Sequence, residues 1–249
     1  MISGIIFVLG LLIGSFLNVV IDRLPRGESI VWKPSHCDHC KKPLRWYELF
    51  PVVSFLFLRG RCLRCKKQLS VQYPIIEFVA ASGFLFISLT TSDINRVAPL
   101  IIIYCIFLVL FVIDLKHQIL PDELLIVLLV VALYCGVFLV PAERGIRLVS
   151  GLAAGSGFFL LWLVTRGRGL GFGDVKLALI LGLLLGYPSV IIALYIAFLT
   201  GALVGVILIL SHRAKMRTKI AFGPFLIIGA MSAYLWGERI WALWLTLIT

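Results

Sequence analysis

Six cysteines, twelve carboxylates and four histidines are the groups this 249-residue chain offers for metal binding or acid–base chemistry. Four of the cysteines form two Cys-x-x-Cys pairs, Cys37 with Cys40 and Cys62 with Cys65, separated by 21 residues. Two such pairs suit a tetrahedral four-thiolate zinc site, with bonds of about 2.3 Å. A closed set of four thiolates leaves no coordination position for a substrate, so the metal is structural. The same spacing is open to a second reading, four unliganded thiols or a redox pair. His36 and His39 are substitute ligands that four cysteines make unnecessary. Cys105 and Cys135 fall inside apolar runs and read as small core residues.

The carboxylates are few enough to weigh one by one. Asp114, in Val-Ile-Asp-Leu-Lys, stands at the C-terminal end of an apolar run, where the helix dipole disfavours negative charge. Local helix physics therefore does not explain it. Asp174 closes Gly171-Phe172-Gly173-Asp174 and opens another run, so a helix-capping role competes with a chemical one. Asp122 and Glu123 follow Pro121, which is ordinary helix-start chemistry. Glu77, three residues after Pro74, either pairs with a basic residue at the membrane interface or lines a site. Asn18, with Gly14 and Ser15, marks a small, polar helix face of the kind that packs closely against a neighbour.

The elements that must position these groups follow from composition. Apolar residues make up 61% of the chain, and Asp, Glu, Lys and Arg only 14%; a soluble domain has roughly 45–50% and 25%. A water-soluble enzyme and a disordered chain are both excluded. Eight apolar runs emerge, Ile2–Ile21, Pro74–Leu89, Val97–Ile113, Leu124–Val140, Ile146–Thr165, Val175–Gly186, Ser189–Leu210 and Ala221–Thr249. The stretch Val175–Leu210 is 36 residues long; as one helix it would reach about 54 Å, so a break is expected at Tyr187-Pro188. With the N-terminus outside, 19 of the 23 Lys and Arg fall on cytosolic segments, eleven of them in Arg23–Lys67 and four in Arg213–Lys219. The positive-inside rule selects that orientation. The net charge of +11 thus reads as topology and anionic-lipid contact, not as a nucleic-acid partner. The first run lacks a basic start and a small-residue cleavage site, and is not read as a cleavable signal. No internal repeat, heptad or low-complexity tract is apparent.

The expected fold is an all-α polytopic membrane protein with about eight transmembrane helices and a small zinc-stapled cytosolic loop domain. Its parts would be a first helix over 1–22, a zinc-binding loop over 23–73 and a seven-helix region over 74–249. In this topology Asp114 and Asp174 share one depth on the cytosolic side. Two carboxyls brought together cannot both ionise readily. One would act as general base towards water while the other protonates the amide carbonyl. That is peptide hydrolysis without a metal.

The ordered motifs resemble the type IV prepilin peptidases, or leader peptidase/N-methyltransferases. Gly14-Ser15-Phe16-Leu17-Asn18-Val19-Val20-Ile21-Asp22-Arg23-Leu24-Pro25 is similar to that family's N-terminal signature. The double Cys-x-x-Cys loop follows, then Tyr73-Pro74-Ile75-Ile76-Glu77, Asp114 with Leu120-Pro121-Asp122, and Gly171-Phe172-Gly173-Asp174-Val175-Lys176. The resemblance implies a membrane aspartyl protease of the Gly-x-Gly-Asp type in the bacterial cytoplasmic membrane, with both termini outside and its site near the cytosolic face. Asp114 and Asp174 match the family's catalytic aspartates, and Cys37, Cys40, Cys62 and Cys65 its zinc quartet. The substrates implied are prepilins, pseudopilins or competence pilins, cut after a short basic leader. Methylation of the new N-terminus with S-adenosylmethionine is implied too, and Glu77 is a candidate residue for that cofactor. The chain departs from the family at Asp38, where a proline is usual.

Two other classes compete. One is a transporter using Asp114 and Asp174 as a proton relay, but both acids lie near one surface and no inverted repeat is seen. The other is a non-enzymatic membrane anchor whose basic loop docks partners.

Overall fold

The computed structural model describes residues 2–32, 34–37, 39–91, 93–167, 169–211 and 220–248. Asp38, Arg168 and the basic group Arg213, Lys215, Arg217 and Lys219 lie outside the described residues. The described chain is helical, with isolated backbone bridges in place of strands. Its helices are α1 (Ile2–Arg23), α2 (Val53–Phe57), α3 (Gln72–Thr90), α4 (Ile94–His117), α5 (Asp122–Leu133), α6 (Arg144–Thr165), α7 (Phe172–Leu185), α8 (Ser189–Leu210) and α9 (Gly223–Ile248).

Each of the eight apolar runs becomes a helix, because a long apolar stretch can satisfy its own backbone only by coiling. Among the described residues α2 is the one α-helix outside them, within the hydrophilic loop. The break expected at Tyr187-Pro188 is present: α7 ends at Leu185, Gly186 takes φ 68°, the Tyr187-Pro188 peptide is cis, and α8 begins at Ser189. Among the described residues five helices, α1, α3, α4, α6 and α8, are long and apolar enough to cross a membrane. With 14 residues, α7 is about 21 Å long.

The chain forms two compact units, Met1–Val109 and Leu110–Thr249. In the first, α1 and α3 press together through glycine. A Cβ on Gly10 would lie 2.6 Å from Ala81 Cα, and one on Gly14 2.7 Å from Glu77 Cα. Asn18 joins the same seam, donating to the Tyr73 carbonyl at 3.1 Å and accepting from Gln72 Nε2 at 3.2 Å. The small, polar face of the first run is thus a packing face. Tyr104 ties α4 to α3 by donating to the Val79 carbonyl at 2.7 Å.

In the second unit α6 packs along α7 and α8 along α9. Gly182 of α7 meets the α6 backbone, its ideal Cβ 2.6 Å from Gly151 Cα. Phe158, Phe198 and Phe222 form an aromatic cluster with centroids 5.1 to 6.2 Å apart. Arg147 bridges Glu143 and the Leu184 carbonyl.

One expectation is corrected. The loop does contain an internal repeat, Cys37–Leu44 against Cys62–Leu69, both reading Cys-x-x-Cys-Lys-Lys-x-Leu. The backbones match as well. Cys37 N–H donates to the Lys42 carbonyl at 3.1 Å and Cys62 N–H to Lys67 at 2.9 Å. Lys41 and Lys66 both turn through positive φ, at 56° and 59°. The repeat spans only eight residues, of which three differ between the copies.

Candidate functional site

The second unit brings the two singled-out aspartates together. Asp114 sits in the last turn of α4 and is 4% exposed; Asp174 sits in the first turn of α7 and is 7% exposed. Each carboxylate is held by one backbone donor. Gly223 N–H donates to Asp114 Oδ2 at 2.9 Å, and Gly171 N–H to Asp174 Oδ2 at 3.0 Å. The second bond is half of a capping box: Asp174 is the third helical residue, so it caps the turn and still presents a carboxyl. The capping and chemical readings are compatible.

Leu120, between α4 and α5, joins the two halves of this cluster. A Cβ on Gly173, beside Asp174, would lie 3.0 Å from Leu120 Cβ; one on Gly223 would lie 3.2 Å from Leu120 Cδ2 and 2.6 Å from Asp114 Oδ2. Leu120 thus touches the backbone beside both carboxyls. Asp122 is engaged differently, in a 2.7 Å ion pair with Lys176, whose ammonium also lies 5.3 Å from the Phe172 ring centre.

Sequence reasoning missed Gly223. A backbone N–H carries no titratable signature, and the available hint was Gly223-Pro224 at a helix start, where proline is favoured.

The first unit holds the four thiols. The Sγ atoms of Cys37, Cys40, Cys62 and Cys65 all lie within 4.8 Å of one another, and Cys37 Sγ is 3.9 Å from Cys65 Sγ. Bonds of about 2.3 Å in a tetrahedron put sulfurs about 3.8 Å apart, so the quartet fits zinc. Burial pushes the Cys37 thiol up to about 11, whereas the backbone N–H of Cys65 pulls Cys62 down to about 7. A dication would favour thiolate at both.

Between α1, the start of α3 and the knuckles lies a partly open cavity of about 190 Å³. Cys37, Cys62, Leu44 and Leu69 line it from equivalent positions of the two repeats. Glu77 lines it too, 6% exposed, its Oε2 accepting the Val52 N–H at 2.7 Å. Val52 holds φ 58°, an unusual conformation for a β-branched residue. Among the described residues Glu77 makes no ion pair. Arg23 is buried beneath the loop and donates to the Ser29 and Pro34 carbonyls, both at 3.1 Å.

Fold and sites together define a helical, multi-pass membrane protein with a four-thiol knuckle pair in one unit and a buried carboxyl pair in the other. Residues 8–91 match the family described as the bacterial peptidase A24 N-terminal domain, and residues 101–206 match the type IV leader peptidase family. The chain is 32% identical to the prepilin leader peptidase/N-methyltransferase of Stutzerimonas stutzeri, covering 96% of this chain and 92% of that one. Proteins of the same name in Pseudomonas putida and Bacillus subtilis (strain 168) are 34% and 31% identical, over 94% and 95% of this chain and 91% and 95% of theirs. No solved structure matches. The chain belongs to the type IV leader peptidase family, and it is a peptidase.

Proposed function

We propose that this protein removes the short basic leader from prepilins or pilin-like pseudopilins by aspartyl-pair hydrolysis, and then methylates the new N-terminus. The observation that carries the first half is the pair of buried carboxyls, Asp114 and Asp174, each fixed by one backbone N–H. With Oδ2 of each so engaged, one carboxylate draws a proton from water. The other, protonated, donates to the scissile carbonyl as the hydroxide attacks its carbon. The proton taken from water then passes to the leaving amine as the C–N bond breaks, and the collapsing diol returns a proton to the second carboxylate. Fixed donors keep both groups oriented through the step.

The remaining topology belongs to the same reading. All eight runs span the bacterial cytoplasmic membrane with both termini outside, the loop on the cytosolic side and the aspartates near that face. The loop, rich in Lys and Arg, lies against anionic lipid. Zinc, held by Cys37, Cys40, Cys62 and Cys65, staples a loop too small to fold unaided.

The methylation half is supported by the names of the relatives and by the chemistry of the first unit's cavity. S-adenosylmethionine supplies an electrophilic methyl on a cationic sulfonium. Glu77, with Asp22, Glu28 and Glu48, lines that cavity beside Arg23, Arg26 and Lys41, and is the buried carboxylate there that would face such a cation.

The test is incubation of the purified, lipid-reconstituted protein with a prepilin and labelled S-adenosylmethionine, following leader loss and methyl gain by mass. Leader loss without methyl gain leaves a peptidase only. Absence of both changes would favour the transporter or anchor.

A further inference from the structure

The hydrophilic loop carries an apolar stretch of its own. Residues 46–58 read Trp-Tyr-Glu-Leu-Phe-Pro-Val-Val-Ser-Phe-Leu-Phe-Leu, with Glu48 as the single charged side chain. A 3-10 turn over Trp46–Leu49, followed by α2, gives the stretch two faces. On the inner face Ser54, Phe55 and Leu58 line the first unit's cavity. The outer face is Trp46, Phe50, Val53, Leu56 and Phe57, all exposed, Trp46 by 74% and Phe57 by 85%. The Trp46 ring meets Phe50 at 6.0 Å and Tyr47 at 5.8 Å, so these aromatics form one cluster. An element apolar on both faces belongs in a core or a membrane. Here the second face has no protein cover among the described residues, and an exposed patch of this kind marks an interaction surface.

The charges around the patch select its partner. Between residues 39 and 71 there are eight Lys and Arg, every one exposed, against Glu48 alone. Glu48 is occupied, accepting the Arg45 N–H at 2.8 Å. The two cysteine repeats present matching Lys-Lys pairs, and Arg45 and Arg59 bracket the apolar stretch. Arg45 lies 5.9 Å from the Tyr47 ring centre and donates to its hydroxyl at 2.9 Å. The core of a protein–protein interface is depleted of charge, whereas Trp and Tyr interleaved with Lys and Arg are the composition of a membrane–water boundary. The tethering agrees. The loop runs from α1 to α3, two helices long and apolar enough to cross a membrane, and Asn18 bonded to the Tyr73 carbonyl holds their loop ends together. The loop therefore starts and ends at one surface.

We propose that the outer face of this stretch is seated in the headgroup–acyl boundary of the bilayer, with Trp46, Phe50, Leu56 and Phe57 reaching among the lipid chains. Interfacial segments of this composition sit about 5–10 Å into that boundary, and long cationic side chains reach back to the headgroups. The proposal deepens the reading that the loop lies against anionic lipid, and rests on that reading for the role of its Lys and Arg. It also gives the first unit a fixed pose: with the outer face of α2 in lipid, the cavity on its inner face is held beside the membrane surface.

The experiment uses the full-length protein in lipid nanodiscs, one set of phosphatidylcholine alone and one containing phosphatidylglycerol as well. The probe is a phospholipid with a photoactivated diazirine near the glycerol end of one acyl chain. Trypsin cuts after Arg45 and Arg59, so the stretch is recovered as one peptide, residues 46–59, and its label is counted by mass. In the anionic discs that peptide is expected to take label within fivefold of the α1 peptide, residues 1–23. Trp46→Ser, Phe50→Ser, Leu56→Ser and Phe57→Ser together, all at exposed positions, should cut its label at least fivefold while zinc stays bound and α1 is labelled as before. Wild-type label more than fivefold below that of α1 overturns the proposal, and slow amide exchange over the same residues would then assign the face to a second copy or another protein. Label that survives the four substitutions overturns it too. Equal wild-type label in the two kinds of disc upholds the seating in lipid while the anionic-lipid reading fails.

Discussion

Gly223 N–H donates to Asp114 Oδ2 at 2.9 Å across 109 residues of sequence, from the first residue of α9 to the last turn of α4. The bond anchors a carboxylate that its own helix end disfavours, and a hydrogen bond to a charged group contributes about 1.5–3 kcal/mol. It also explains the glycine, since a Cβ at position 223 would sit 2.6 Å from that oxygen.

Gly223→Ala should therefore move Asp114 while leaving the helices intact. A displacement near 1 Å costs catalysis about 100-fold. Leader removal is expected to slow by that order, with zinc content and thermal midpoint unchanged. Gly4→Ala, where nothing lies within 4 Å, is the control and should process at the wild-type rate. A Gly223→Ala protein of normal rate would show that the α9 donor does not position Asp114.

Asp114→Asn and Asp174→Asn test the pair directly. Each amide retains an oxygen to accept from Gly223 or Gly171, so the folds of α4 and α7 should survive. What is lost is proton transfer, worth typically 10²–10⁴-fold. Single-turnover cleavage of a prepilin should fall by at least 10²-fold in either variant, and the double variant should add little. Normal turnover in either would remove that residue from the mechanism.

The helix seam of the first unit gives a stability prediction. With Gly14 facing Glu77 Cα at 2.7 Å from its ideal Cβ, Gly14→Leu forces α1 and α3 apart. Overpacking of this kind costs about 1–3 kcal/mol. A lowered thermal midpoint with weakened zinc retention is expected, since Asn18, Tyr73 and Asp22 hold the loop base from the same two helices. Gly157→Leu, at a position with open space around it, should be nearly silent.

Most of this architecture is legible in the amino-acid sequence, for specific physical reasons. Long apolar runs dictate helices, and Tyr187-Pro188 marks where one run must become two. The cysteines declare themselves because metal knuckles are local in sequence. Asp114 and Asp174 stand out because carboxylates are scarce and costly at a membrane. The supports of these groups are less visible. Gly223 acts through its backbone, Leu120 through packing, and Val52 through a left-handed turn that its β-branched side chain argues against. The short cysteine repeat hides because only Cys, Lys-Lys and Leu recur.

The thiol quartet carries a pH dependence whose sign is fixed by its protons. Zinc binds thiolates, so any thiol still protonated in the free protein must release its proton on binding. Burial holds Cys37 near 11, so it releases one proton per zinc throughout the neutral range. Cys62, near 7, is largely ionised above neutrality and adds a second proton below it. Apparent zinc affinity should thus fall at least tenfold per unit as pH drops from 9 to 7, and more steeply from 7 to 6. Competition with a chelator at pH 6, 7, 8 and 9 measures this slope. A flat profile would mean that the thiols are not the ligands. Cys37→Ser should lower metal content and loosen the loop, because the same residue is buried against the cavity and joins both knuckles through Cys65. A Cys37→Ser protein with full zinc content and an unchanged thermal midpoint would exclude the four-thiolate staple.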